Sequence, residues 1–178
     1  MSNPDQPAGE NKANKQNGSA HAPSLPVILH AQYLKDISFE NPHAPATLKP
    51  GQEKPLMELD IGLEAHKIEE EGLENPHEVV ITLKAEARRQ DKTVFIVEAI
   101  YGCVVSIQND VPPEKIHPML FIEIPQIIFP FARQAIANVT QQGGYPPLML
   151  SPVDFRGMYL AQYARHVDEE DPEKTAQA

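Results

Sequence analysis

The residues of this chain best suited to nucleophilic or metal chemistry are one cysteine and seven histidines. Histidines four residues apart on a helix can share a metal ion, but no two have that spacing among His21, His30, His43, His66, His77, His117 and His166. Cys103 alternates with Phe95, Val97 and Tyr101 on one face of a predicted strand, which is typical of a packing residue. We therefore predict no metal site and no cofactor. An enzyme that pairs Cys103 with a distant histidine is kept as an alternative.

The composition restricts the partners and the compartment. The 178 residues carry a formal net charge of −10, which disfavours nucleic acid and anionic membranes and favours a basic protein partner. A single cysteine permits no intrachain disulfide. The polar start of the chain is unlike a secretory signal, and no run of about 18 apolar residues predicts a spanning helix. We expect a cytoplasmic protein that does not insert into membranes.

Composition also divides the chain into three segments. Residues 1–24 are rich in Asn, Pro, Gly and Lys and hold no aromatic side chain, so we predict that they are disordered. Residues 25–166 are expected to form one domain. Residues 167–178 hold a run of acidic side chains without apolar periodicity and are predicted to be a disordered acidic tail.

Alternation of apolar and polar residues with a period of two predicts four strands, at residues 27–40, 55–65, 77–89 and 92–107. A polar turn at Gln90 and Asp91 pairs the third strand with the fourth. Between the first two strands, prolines at 42, 45, 50 and 55 lack the donor that a sheet requires. This stretch is predicted to be a crossover loop.

Two helices are predicted after the strands. Apolar residues at spacings of three and four follow Pro125 and stop at Gly143, and Pro130 should bend or interrupt that helix. The second helix is predicted to begin with Ser151 as N-cap and Pro152 at the first helical position. The fold class is therefore α+β, with a four-stranded antiparallel sheet followed by two helices packed on one of its faces.

The other face of the predicted sheet is strongly acidic. It would display seven acids with only Lys84 and Arg88 among them: Asp36, Glu40, Glu58, Asp60, Glu64, Glu86 and Glu98. Ordinary solubility explains such a face. Ile96 and Ile100 also fall on it, however, and apolar groups surrounded by acids are more typical of a docking surface.

An apolar loop is the other unusual feature. The sequence GGYPPLML places Tyr145, Leu148, Met149 and Leu150 in a connection that would ordinarily be polar. Flexible methionine and leucine side chains suit a surface that adapts to many partners. Simple closure of the core is nearly as good an explanation.

Four stretches in order, KDISFENPHAP, TVFIVEAIYG, IIFPFARQAI and GGYPPLMLSPVDF, resemble the SecB family of bacterial protein-export chaperones. The resemblance runs from about Leu29 to about Tyr163. It implies a cytoplasmic holdase that uses neither ATP nor a cofactor and assembles as a homotetramer, a dimer of dimers. Such a protein binds unfolded precursor proteins in apolar grooves and passes them to SecA, the translocation motor.

The resemblance also implies residue roles. The crossover loop would line the client groove together with Tyr145, Leu148, Met149, Leu150 and Phe155. The basic tail of SecA would dock on Asp36, Glu40, Ile96 and Glu98. The alternation of the first strand itself predicts that Tyr33, Ile37 and Phe39 pack inward on the opposite face. The alternative to a holdase is an acidic adaptor that binds one folded basic partner and holds no clients.

Overall fold

The computed structural model describes residues 25–170, and side chains as far as residue 162. Its sheet consists of four antiparallel strands in the order β1-β4-β3-β2. The strands are β1 (Val27–Glu40), β2 (Leu56–Lys67), β3 (Pro76–Arg89) and β4 (Lys92–Ile107). The predicted disordered segment 1–24 and most of the predicted acidic tail, residues 171–178, lie outside the described residues.

The predicted hairpin between β3 and β4 is confirmed. Arg89 pairs with Lys92, and Gln90 between them adopts a positive φ of 54°, as the tight turns of hairpins require. The alternation predicted for β3 is confirmed as well. One side of this strand faces the helices and is almost completely buried, with Val79, Ile81, Leu83, Ala85 and Ala87 each at most 1% exposed.

The first strand contains two irregularities that change which side chains share a face. Its register against β4 shifts between Leu29 and Ala31 and again between Leu34 and Asp36. Each extra residue reverses the alternation of the side chains beyond it. Ile37 and Phe39 therefore pack against the core as predicted, whereas Tyr33 lies on the opposite, outer face.

Tyr33 is thus a correction to the sequence analysis, and the structure shows what holds it. Its ring lies over Gly102, where an added Cβ would be 2.9 Å from the ring. The Tyr33 hydroxyl donates a hydrogen bond to Glu78, which also accepts one from Lys35 at 2.8 Å. Burial and the Glu78 carboxylate raise the pKa of Tyr33 to about 12, and the bonds from Lys35 and Tyr33 lower the pKa of Glu78.

The long helix starts earlier than predicted. It runs continuously from Pro113 to Gln142 as α1 (Pro113–Pro118), a π-helical stretch (Met119–Glu123) and α2 (Ile124–Gln142). The irregular turn is not at Pro130 but ahead of Pro125, where the Ile124 N–H bonds to the Met119 carbonyl. Pro130 does not interrupt the helix. Its ring is exposed, so water can reach the carbonyl that lost its donor.

This helix is also long and apolar enough, by length and composition, to cross a membrane. The sequence shows no unbroken apolar run here, because scattered polar residues separate the apolar side chains of the helix. Half of its most apolar window is buried within the fold. Ile124, Ile128, Ala132 and Ile136 pack on β3 and β4, so the helix serves as the core helix of the domain.

The last helix, α3 (Phe155–Glu170), starts later than predicted. The N-cap role falls to Asp154, whose Oδ1 accepts the Gly157 N–H at 2.9 Å, and not to Ser151. The helix extends to Glu170, so its backbone continues through the first four residues of the predicted tail.

Candidate functional site

Three aromatic rings join the strands to the loop that follows the long helix. Phe95 on β4 lies between Phe39 on β1 and Tyr145 in the loop, with ring centroids 5.7 and 4.9 Å away. Tyr145 and Phe39 are 6.4 Å apart. Aromatic contacts of this kind stabilise a fold by more than their buried area alone provides, so the cluster fixes the loop against the sheet.

The hydroxyl of Tyr145 also ties the crossover loop to this cluster. It lies 2.8 Å from the Thr47 hydroxyl and donates a hydrogen bond to the Asn41 side-chain oxygen at 2.9 Å. One side chain therefore connects the two loops that the sequence predicts to form the client groove.

A buried threonine fixes the path of the helix-connecting loop. Thr140 is completely buried in α2, where its hydroxyl donates to the Ile136 carbonyl at 2.9 Å. The same oxygen accepts the Leu148 N–H at 3.0 Å. The loop is thus bonded directly to the helix that the core holds in place.

The crossover loop is fixed at its other end by Arg89 and Gln52. The Gln52 amide donates to the carbonyls of Ala46 and Lys49, both at 2.9 Å, which closes the loop on itself. Arg89, at the end of β3, donates to the Gln52 side chain and, at 2.7 Å, to the Glu53 carbonyl. These bonds attach the loop to the sheet.

A cleft of about 490 Å³ lies between the two fixed loops. Its apolar wall includes Leu48, Met57, Phe95, Tyr145 and Leu148. Leu48 and Met57 are about two-fifths exposed, so the cleft offers apolar surface to solvent. It lies on the helix side of the sheet, since Met57 and Phe95 both point to that side.

The predicted client-binding residues do not all lie in this cleft. Tyr145 and Leu148 line it, and Met149 beside them is 59% exposed. Leu150 and Phe155 are instead buried at 8% and 1% exposure, and Phe155 packs edge-on against Phe129 at 5.8 Å. In this conformation these two residues pack into the core, whereas Tyr145, Leu148 and Met149 remain accessible to solvent.

Sequence reasoning missed Met57, Phe95 and Arg89, and it included Leu48 only as part of the crossover loop. Met57 alternates with the acids predicted for the outer face of the second strand, so its inner position follows from that pattern, but nothing in the alternation signals that the helices leave part of the edge strand β2 uncovered. Arg89 comes after the apolar alternation of β3 and looks like an ordinary charged residue at a strand end. Nothing in the sequence therefore marks it as a contact of the crossover loop. The dense prolines of the crossover loop were the available signal for Leu48.

The four residues predicted to dock SecA lie on neighbouring strands of the outer face. In the register of β1 and β4, Asp36 is opposite Ile100, Ser38 is opposite Glu98, and Glu40 is opposite Ile96. Side chains directly opposite each other point to the same side of a sheet. Asp36, Glu40, Ile96 and Glu98 therefore form one patch, here called the acidic patch.

Both bases predicted for this face pair with acids. Lys84 Nζ is 3.8 Å from Glu98, and Arg88 is 3.1 Å from Glu86. The described residues show no ion pair for Asp36 or Glu40. The patch therefore carries excess negative charge beside exposed apolar atoms.

Chemistry at Cys103 is disfavoured by its surroundings. The side chain is fully buried in the core, and burial raises the pKa of its thiol to about 11. Almost no thiolate is present at neutral pH under these conditions, and the thiolate is the nucleophile. Among the described residues, no group of three His, Cys, Asp or Glu side chains is arranged to hold a metal ion.

The family model described as preprotein translocase subunit SecB matches residues 20–166. The chain belongs to the SecB family of protein-export chaperones. The protein-export protein SecB of Rhodospirillum centenum is 44% identical over 154 residues, covering 86% of this chain and 88% of the relative. That of Maricaulis maris is 46% identical over 149 residues, covering 84% and 83%.

A solved structure supports the fold. A SecB-like chaperone of Mycobacterium tuberculosis, in complex with a ChAD peptide from an antitoxin, superimposes with a TM-score of 0.54 at 16% identity. The match covers 71% of this chain and 90% of the other. The sequence-based assignment to the SecB family and to its α+β fold is thereby confirmed.

Thr140→Val should release the helix-connecting loop, because valine fills the site but cannot accept the Leu148 N–H. We expect a loss of about 1–2 kcal/mol in the free energy of unfolding and a loss of hydrogen-exchange protection at the Leu148 amide. Thr140→Ser keeps the hydroxyl and should keep that protection. Equal protection in the valine and serine variants would contradict the role assigned to this hydrogen bond.

Cys103 should react with a maleimide only when the protein unfolds, because its thiol is buried and un-ionised at neutral pH. The rate of labelling in native buffer should be at least about a hundredfold below that in urea. Cys103→Ser should also leave client holding intact. Rapid labelling of the native protein would reopen the case for a nucleophilic cysteine.

Proposed function

We propose that this SecB-family protein is a cytoplasmic, ATP-independent holdase that keeps precursor proteins unfolded and delivers them to SecA. The observation that carries this proposal is the apolar cleft between two loops, one bonded to the core helix and the other to the end of β3. An extended client segment can place apolar side chains there without the protein refolding around it. Many such contacts, each modest, add up along a wrapped chain.

The position of the acidic patch supports a second partner. A basic peptide from SecA would find at Asp36 and Glu40 two carboxylates that pair with no base in the described part of the chain, with Ile96 beside them. Apolar contact at the centre and charge around it are features of specific docking surfaces. No catalytic step is assigned, since the one cysteine is buried within the core.

Assembly as a dimer of dimers has support at the β1 edge of the sheet. Leu29, Leu34 and Phe131 are two-fifths to one-half exposed, and the Phe131 ring stacks on Tyr101 with centroids 6.3 Å apart. Large apolar side chains exposed together on a monomer are typical of a subunit interface. We propose that copies of this chain cover this edge.

The acidic-adaptor alternative uses the same patch but needs no cleft. It predicts tight binding to one folded basic protein and no suppression of the aggregation of unrelated unfolded proteins. The exposed apolar wall at Leu48 and Met57 favours the holdase.

Met57→Asp should weaken client binding about tenfold, because it places a charge in the apolar wall of the cleft. Leu56→Asp is the matched control, since the neighbouring residue points to the outer face and is 70% exposed. The measurement is fluorescence anisotropy with an unfolded, labelled precursor. Equal losses in both variants would mean that charge alone, and not the cleft, governs binding.

Asp36→Lys/Glu98→Lys should abolish binding of a basic SecA tail peptide and leave client binding unchanged. The double variant Glu58→Lys/Glu64→Lys makes the same change in charge on the outer face of β2, away from the patch, and should reduce peptide binding much less. Titration calorimetry at low salt measures peptide binding to the two double variants. If peptide binding survives reversal of the charges in the patch, the acidic face serves only solubility and the docking assignment is wrong.

A further inference from the structure

Lys84 occupies a central place on the acidic outer face. It lies on β3 directly opposite Glu98 of β4 on one side and Asp60 of β2 on the other. Its ammonium group is 3.8 Å from the Glu98 carboxylate. Lys84 therefore already pairs with the carboxylate to which a cation of the docking partner would bind.

The pair between Lys84 and Glu98 is easily exchanged. The distance is close to the limit for an ion pair, and the two side chains are 49% and 32% exposed. Exposed pairs of this kind are screened by water and salt and add little net stability. Within the described part of the chain, Lys84 is also the one side chain that pairs with Glu98.

The second pair on the same face is held more firmly. Arg88 lies 3.1 Å from Glu86, and the Thr93 hydroxyl donates to the same Glu86 oxygen at 2.8 Å. Glu86 therefore keeps a partner even when Arg88 moves. Of these two pairs, the one at Glu86 is fixed and the one at Glu98 is exchangeable.

We propose that Lys84 is an internal competitor that the cationic partner must displace from Glu98. This inference rests on the proposed docking of a basic peptide and deepens it. On docking, a lysine or arginine of the peptide takes the place of the Lys84 ammonium group, which moves into solvent. The exchange preserves a counter-ion for Glu98 in both states. Lys84 therefore weakens docking and favours release.

The test compares Lys84→Met with Arg88→Met, which remove the same charge from the same face. With a basic peptide at low salt, Lys84→Met should lower the Kd about threefold more than Arg88→Met does and should steepen its salt dependence. Lys84→Arg should resemble wild type. In a Glu98→Gln background the advantage of Lys84→Met over Arg88→Met should disappear.

The outcomes distinguish a specific role of Lys84 from a general effect of net charge. Equal gains in the two methionine variants would show a net-charge effect and overturn the role of Lys84. Unchanged or weaker binding of Lys84→Met would overturn it as well. If the wild-type protein binds no basic peptide, the proposed docking itself fails, and the inference fails with it. Thermal unfolding of each variant confirms that these exposed substitutions leave the fold intact.

Discussion

The long helix has to place its apolar side on two central strands whose helix-facing side chains are almost completely buried. Small residues favour a close approach, since Ala85, Ala99 and Ala132 are all completely buried in the core that the helix and the two strands share. Both loops of the cleft are attached to this unit. One is bonded to the helix through Thr140, and the other to the end of β3 through Arg89. The shape of the cleft therefore depends on how the helix sits on the sheet.

The faces of three strands could be predicted from sequence, because alternation with a period of two has a direct physical meaning. In β3 every residue assigned to the inner face is buried. The first strand shows the limit of the method. A bulge changes the face of every residue beyond it and has no signature in a single sequence, so Ile37 was placed correctly and Tyr33 was not.

Helix starts and the accessibility of site residues were harder to predict for a related reason. Ser151 and Asp154 are both good N-caps by type, and only the path of the loop selects Asp154. Leu148 and Leu150 are two residues apart in one apolar loop, yet one lines the cleft and the other closes the core. Composition identifies the loop as unusual, while tertiary packing decides what each side chain does. The same holds for Met57, which is exposed because the helices leave part of β2 uncovered.

The sheet is one layer thick, and consecutive residues of β4 reach its two sides. Phe95 lines the cleft while Ile96 belongs to the acidic patch, and Phe39 and Glu40 are divided in the same way on β1. If the cleft holds a client segment and the acidic patch binds a basic peptide of SecA, as proposed above, the two occupants lie on opposite sides of the sheet and do not compete for the same surface. On that proposal, binding at the patch would not by itself expel a segment from the cleft. The client would pass on either by leaving the cleft on its own or through a rearrangement of β1 and β4, the strands that contribute residues to both sides.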